Sequence, residues 1–146
     1  MSQVNLLKTI SIKELTNWSV QYLLKNTFSY NEDYVLTNIG DFLKRNKTPI
    51  IVQDDKLYKR VTIKVNNGGV FVRKTGNTTE TIGKEIGTKK QFIVNEGQFL
   101  LSKIDARNGA FGVVSKEVDN AIITGNFWAF DVDSKMINPH FLALIV

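Results

Sequence analysis

Apolar and polar positions alternate along this chain in two rhythms. Ile12, Leu15, Trp18, Tyr22 and Leu23 recur at three- and four-residue intervals behind Ser11-Ile12-Lys13-Glu14, whose Ser and Glu stand at capping-box spacing, so the pattern predicts a short amphipathic helix. Residues 26–33 are polar and aromatic and read as a loop, and Tyr34-Val35-Leu36 as a short strand. Asn38 is placed to cap a second helix through Phe42-Leu43-Lys44-Arg45, closed before Thr48-Pro49 because a residue ahead of proline is pushed out of helical geometry. The rhythm then shortens. Ile50 to Val52, Leu57 to Val65, Val70 to Arg73, Gln91 to Val94, Phe99 to Ile104, Phe111 to Val114, Ala121 to Thr124 and Phe127 to Val132 are strand-like runs punctuated by Gly, Asn and Asp. Asn138-Pro139 has the form of an N-cap followed by proline at the first helical position, and His140 to Val146 continues as a helix start.

The pattern around Asn66-Asn67-Gly68-Gly69 is the most specific. Taking Asn67-Gly68 as a two-residue turn with positive φ places Val65 opposite Val70, Ile63 opposite Val72, Lys64 opposite Phe71 and Thr62 opposite Arg73. One face of the ribbon then carries Val61, Ile63, Val65, Val70 and Val72 toward a core. The other presents Tyr58, Arg60, Thr62, Lys64, Phe71 and Arg73. A second tip, Asp105-Ala106-Arg107-Asn108-Gly109, interrupts the run between Phe99 and Val114 and holds an arginine outward. It is either a ligand contact or a rigid corner in which Arg107 pairs with Asp105 or another carboxylate.

A length of 146 residues suits one domain with its own core, and the sequence shows no dividing linker, repeat or low-complexity segment. No run reaches the roughly 20 apolar residues that span a bilayer, and the first residues lack a signal-peptide pattern. The absence of cysteine removes disulfides and thiolate metal sites and fits a reducing, cytoplasmic setting. Charge changes the picture more. The net charge is +5, and between Lys44 and Lys74 nine basic residues face only Asp54 and Asp55, so the middle of the chain suits a polyanion. A two-stranded ribbon with cations on one face has dimensions that fit a DNA major groove.

Catalytic chemistry is poorly supplied. The one histidine, His140, lies in the terminal helix start, and no Ser/His/Asp set, phosphate-cradling glycine loop or metal-ligand spacing can be assembled. Asp105, Asp119, Asp131 and Asp133 fall at turns or strand ends, where Asp bonds its own backbone. The expectation is a non-enzyme with no cofactor and no metal. The rival reading is a protein–protein interaction module using Trp18, Tyr22, Phe28, Tyr30 and Tyr34.

From Tyr34 onward the chain resembles a target-recognition domain from the specificity subunit of type I restriction–modification systems. The stretches that carry the resemblance are Leu36 to Leu43, Tyr58 to Lys64, Thr88 to Phe92, Gly97 to Gly112, Ala121 to Phe127 and Pro139 to Leu142, in the family's order and with similar spacing. The resemblance implies an α+β fold: a β-rich single domain of short strands and hairpins with a few short helices, like the DNA methylase specificity domain. Residues 1–33, which match less clearly, read as an N-terminal helical or extended part of the same unit, and the resemblance implies 34–137 as the recognition domain and 138–146 as the start of a spacer helix. It also implies sequence-specific binding of one half-site in double-stranded DNA on behalf of partner methyltransferase and restriction subunits. Asn138-Pro139-His140-Phe141 also looks like the base-holding motif of amino-methylating DNA methyltransferases, but no doubly wound cofactor domain precedes it, and a helix cap accounts for it.

On this reading Lys47, Lys59, Lys89, Lys90 and Lys103 meet phosphates, Arg60, Arg73, Arg107, Asn108 and Asn126 reach base edges, and Thr62, Lys64 and Lys74 are further DNA-binding residues.

Overall fold

A computed structural model of the chain describes residues 37–146. The helix predicted from Ser11 to Leu23, the loop at 26–33, the strand Tyr34–Leu36 and the aromatic set from Trp18 to Tyr34 lie outside the described residues. Within them the protein is a small, mostly β domain with few short helices, and no helix is long and apolar enough to cross a membrane.

The first helix, α1 (Ile39–Phe42), is a single turn. The Asn38 N–H donates to the Asp41 carboxylate at 3.3 Å and the Asp41 N–H returns to the Asn38 carbonyl at 3.0 Å. The sequence predicts that this helix continues to Arg45; instead Leu43–Asn46 is strand β1. One turn of helix has little stability of its own. Extended pairing with β11 (Phe127–Val132) satisfies the backbone, sets Leu43 opposite Val132, and lets the Asn46 side-chain amide donate to Asp131 at 2.9 Å.

The remaining strands are β2 (Thr48–Ile51), β3 (Leu57–Lys59), β4 (Val61–Lys64), β5 (Gly69–Val72), β6 (Glu80–Ile82), β7 (Lys90–Val94), β8 (Phe99–Ser102), β9 (Phe111–Val113) and β10 (Ala121–Ile123). They form a four-stranded sheet in the order β1-β11-β8-β9, a three-stranded sheet β10-β7-β2, and the pairs β3-β6 and β4-β5, every ladder antiparallel. Pro49, which cannot donate to a ladder, sits in the outer strand β2.

Strand alternation distributes the apolar residues among three cores. Leu100 and Ala129 face one side of the four-stranded sheet and join Val61, Val70, Val94, Val114, Val118, Ala121 and Ile123 in the central cluster. Their neighbours Phe99, Phe111 and Phe130 face the other side, covered by Leu142 of α2 (Pro139–Ile145). Ile122, between two residues of the central cluster, turns instead to Val52 and Ile86, with Ile50 and Tyr58 packed alongside. The period-two geometry of strands is what lets one short run such as Ala121–Ile123 serve two cores.

That division explains why the predicted single strand from Leu57 to Val65 is broken. Tyr58 belongs to the cluster around Val52, whereas Val61 belongs to the central one, so the chain crosses between them at Arg60. On either side it pairs with different partners, β6 and β5, while Arg60 itself bridges to Ile122 and its carbonyl accepts the Arg73 N–H at 2.6 Å. Strand β6 is absent from the sequence-based reading, since three residues without a long apolar run carry little periodic signal. The run predicted to reach Ile104 stops at Ser102, whose hydroxyl accepts the Asp105 N–H at 3.2 Å and starts the following turn. The cap expected at Asn138 is present, with its side-chain oxygen accepting the N–H groups of His140 (2.8 Å) and Phe141 (3.3 Å).

Candidate nucleic-acid interface

The ribbon β4-β5 turns one residue earlier than its sequence predicts. Asn66 and Asn67 both have φ of +56°, and the Gly68 N–H donates to the Val65 carbonyl at 3.2 Å, so Asn66-Asn67 is the two-residue turn. The pairs are Val61 with Val72, Thr62 with Phe71, Ile63 with Val70 and Lys64 with Gly69. Moving the turn by one residue shifts the pairing by two, which leaves both faces unchanged because side chains alternate with period two. Val61 and Val70 are buried and Ile63 and Val72 partly so, as the pattern requires, but Val65 is exposed at the tip.

The cause of the shift lies outside the hairpin. The Asn66 N–H donates to the Asn108 carbonyl at 2.7 Å and the Asn67 N–H to the Gly109 carbonyl at 3.0 Å. The two tips singled out from the sequence are thus bonded to each other. Residues 106–108 form one 3-10 turn, closed by Asn108 and Ala110 N–H bonds to the Asp105 carbonyl (2.8 and 3.1 Å), and Gly109 leaves it at φ +74°. The backbone of this segment is therefore a corner. Its arginine is not part of the brace: Arg107 is exposed and makes no ion pair or hydrogen bond among the described residues, while Asp105 takes a long contact of 3.5 Å from the Asn108 side chain instead. Arg107 and Asn108 line a shallow recess with Asn66 and Asn67.

The outward face of the ribbon forms one wall of a cleft of about 910 Å³ lined by Lys59, Thr62, Lys64, Phe71, Arg73 and Lys74, with Thr79, Val72 and Glu117 completing it. Four cations share the cleft with one carboxylate. Lys64 holds its ammonium 4.7 Å from the Phe71 ring centroid, and the Arg73 Nε donates to the Thr62 hydroxyl at 3.2 Å. Lys59 reaches across to the Glu117 carbonyl at 3.3 Å. Each contact orders a flexible side chain without neutralising it, since the acceptors are a ring, a hydroxyl and a carbonyl. Tyr58 and Arg60, expected on the same face, leave it where the strand breaks. Tyr58 packs inward and its oxygen accepts the Gln53 N–H at 3.0 Å.

Arg60 is half-buried in the wall of a second cavity, about 310 Å³, shared with Arg73, Gln91, Ser102, Asp105 and Asn126. Burial first, and the neighbouring Arg73 cation second, pull its guanidinium below the ordinary arginine pKa. Among the described residues the only ion pair joins Lys89 and Asp54, at 2.5 Å, so neither guanidinium of this cavity has a carboxylate within salt-bridge distance.

The other expected contacts are scattered. Lys89 pairs with Asp54 and donates to the Gly83 carbonyl (2.8 Å), which holds it away from both cavities. Lys47 and Lys90 are exposed, and neither lines either cavity. Lys103 lies 5.8 Å from the Trp128 ring, whose other near cation, Arg45 at 4.5 Å, the sequence reading did not single out. That pairing joins residues from two strands distant in sequence, and no local pattern announces it. Gln91 and Ser102, both buried polar residues of the Arg60 cavity, were likewise missed; a polar residue at an inward position of an otherwise apolar strand is the signal that marks Gln91. Among the described residues no group of three or more His, Asp or Glu could hold a metal ion. No family model matches the chain, and no curated protein and no solved structure matches it.

Proposed function

We propose that this chain binds double-stranded DNA sequence-specifically, as a target-recognition domain of the kind found in type I restriction–modification specificity subunits, acting in the cytoplasm for partner methyltransferase and restriction subunits. The observation that carries the reading is the cleft along the ribbon, where Lys59, Lys64, Arg73 and Lys74 line one concave surface against a single carboxylate. Clustered cations in a concave wall raise the local potential for a polyanion more than the same charges spread over a sphere. The lysines neutralise phosphates and set the position of the duplex. Base edges are read from the tips, by Arg107 and Asn108 beside the hairpin turn and by Asn126 on the loop between β10 and β11. The domain performs no bond-breaking; that chemistry belongs to the partners.

The direct test is fluorescence anisotropy of the full chain against duplexes of random sequence at 50 and 200 mM salt. Four phosphate contacts predict an affinity lower at the higher salt by a factor on the order of 10². Binding that ignores salt, or no binding at either concentration, would overturn the reading. Selection from a randomised duplex library then tests sequence preference, and co-purification with a methyltransferase subunit tests the assembly.

A further inference from the structure

Arg60 and Arg73 enter the sequence analysis as base readers, but their placement suits another task. A base-reading arginine must project from a ribbon or tip to reach the floor of a groove. Arg60 instead stands in a cavity wall, at the break between β3 and β4, with its backbone held by the Arg73 N–H and by the bridge to Ile122. Arg60 and Arg73 both line that cavity without a carboxylate in salt-bridge range, although Asp105 lines it too. Like charges brought together, with Arg60 partly desolvated, are stabilised by an anion, and a planar guanidinium matches the oxygens of a phosphate better than any other side chain does. Neutral donors are at hand: the Ser102 hydroxyl accepts from Asp105 and keeps its own hydrogen to give, and the Asn126 side chain lines the same cavity.

We propose that Arg60 and Arg73 form a subsite for one phosphate group, seated in the cavity they share, with Arg73 joining this subsite to the ribbon cleft that it also lines. The inference deepens the DNA-binding reading and rests on it for the source of the phosphate, a backbone phosphodiester; inorganic phosphate offers the same chemistry from solution. The consequence is a division of labour in which these two arginines anchor any duplex alike and carry no sequence information.

The test follows the Nε–Hε NMR signals of the full chain while inorganic phosphate, and separately two duplexes of unrelated sequence, are added. Arg60 and Arg73 are expected to shift together along one saturation curve, with Arg45 unmoved by phosphate. In anisotropy titrations R60Q should weaken both duplexes by the same factor, about tenfold, and lower the slope of log K against log salt by about 0.9, the value for one lost phosphate contact. R60K, which keeps the charge but not the fork, should restore the slope and only part of the affinity. Circular dichroism of each variant separates loss of binding from loss of fold, and for a variant that does not fold the NMR titration of the parent chain decides. If phosphate moves both arginines and no duplex binds, the subsite stands and the DNA reading falls. If duplexes bind and both signals stay still, or if R60Q reorders the preference between sequences, the subsite falls and the DNA reading stands.

Discussion

Gly109 has φ of +74°, and a Cβ built on it would lie 2.5 Å from the Asn67 Oδ1 and 2.8 Å from the Asn67 backbone nitrogen. Both facts require glycine, the first because left-handed backbone is costly for other residues, the second because the hairpin tip fills the space. Gly109→Ala should therefore cost about 2–3 kcal/mol in urea unfolding, more than the strain of positive φ alone. Arg107, two residues earlier, makes the opposite prediction. Its side chain is exposed and braces nothing, so Arg107→Ala should change stability by no more than about 0.5 kcal/mol while weakening duplex binding. A marked fall in melting temperature for Arg107→Ala would show that the guanidinium supports the corner after all. Two residues of one motif thus serve separate ends, a distinction the string Asp105-Ala106-Arg107-Asn108-Gly109 does not contain.

Among the elements, the ribbon depends on its turn and on what grips the turn. Asn66 and Asn67 tolerate left-handed backbone, and their amides are captured by the carbonyls of Asn108 and Gly109. A β-branched side chain at such a position is strained, so Asn66→Val should destabilise the protein by about 1–2 kcal/mol, whereas Asn66→Gly should be close to neutral; chemical denaturation of the two variants checks the difference. The same grip explains why the sequence pattern identifies the ribbon's faces within β4 and β5 correctly but misplaces its turn and, with it, Val65. Face identity follows from alternation within the strands. Turn position was a choice between two adjacent dipeptides, both able to take positive φ, and a segment some forty residues later made it.

For the whole molecule, what matters is which cations share a surface. Lys64 and Lys74 line the cleft without a carboxylate partner among the described residues, whereas Lys89 lies outside it and is ion-paired with Asp54. Removing Lys64 or Lys74 should lower the salt slope of duplex binding by about 0.9, and Lys89→Ala should leave it nearly unchanged. Equal losses for all three would place Lys89 on the duplex and dissolve the distinction. By itself the sequence determined the β-rich class, the two faces of β4 and β5, the Asn138 cap and the cationic middle of the chain, because each depends on alternation, turn chemistry or composition within a few neighbouring residues. The tertiary structure alone decided that β1 is a strand, that the chain breaks at Arg60, that two tips clasp each other, and that Lys89 is paired while the Arg60 and Arg73 guanidinia are not. Those outcomes turn on partners far apart in sequence, where the free energy of pairing and burial outweighs local preference.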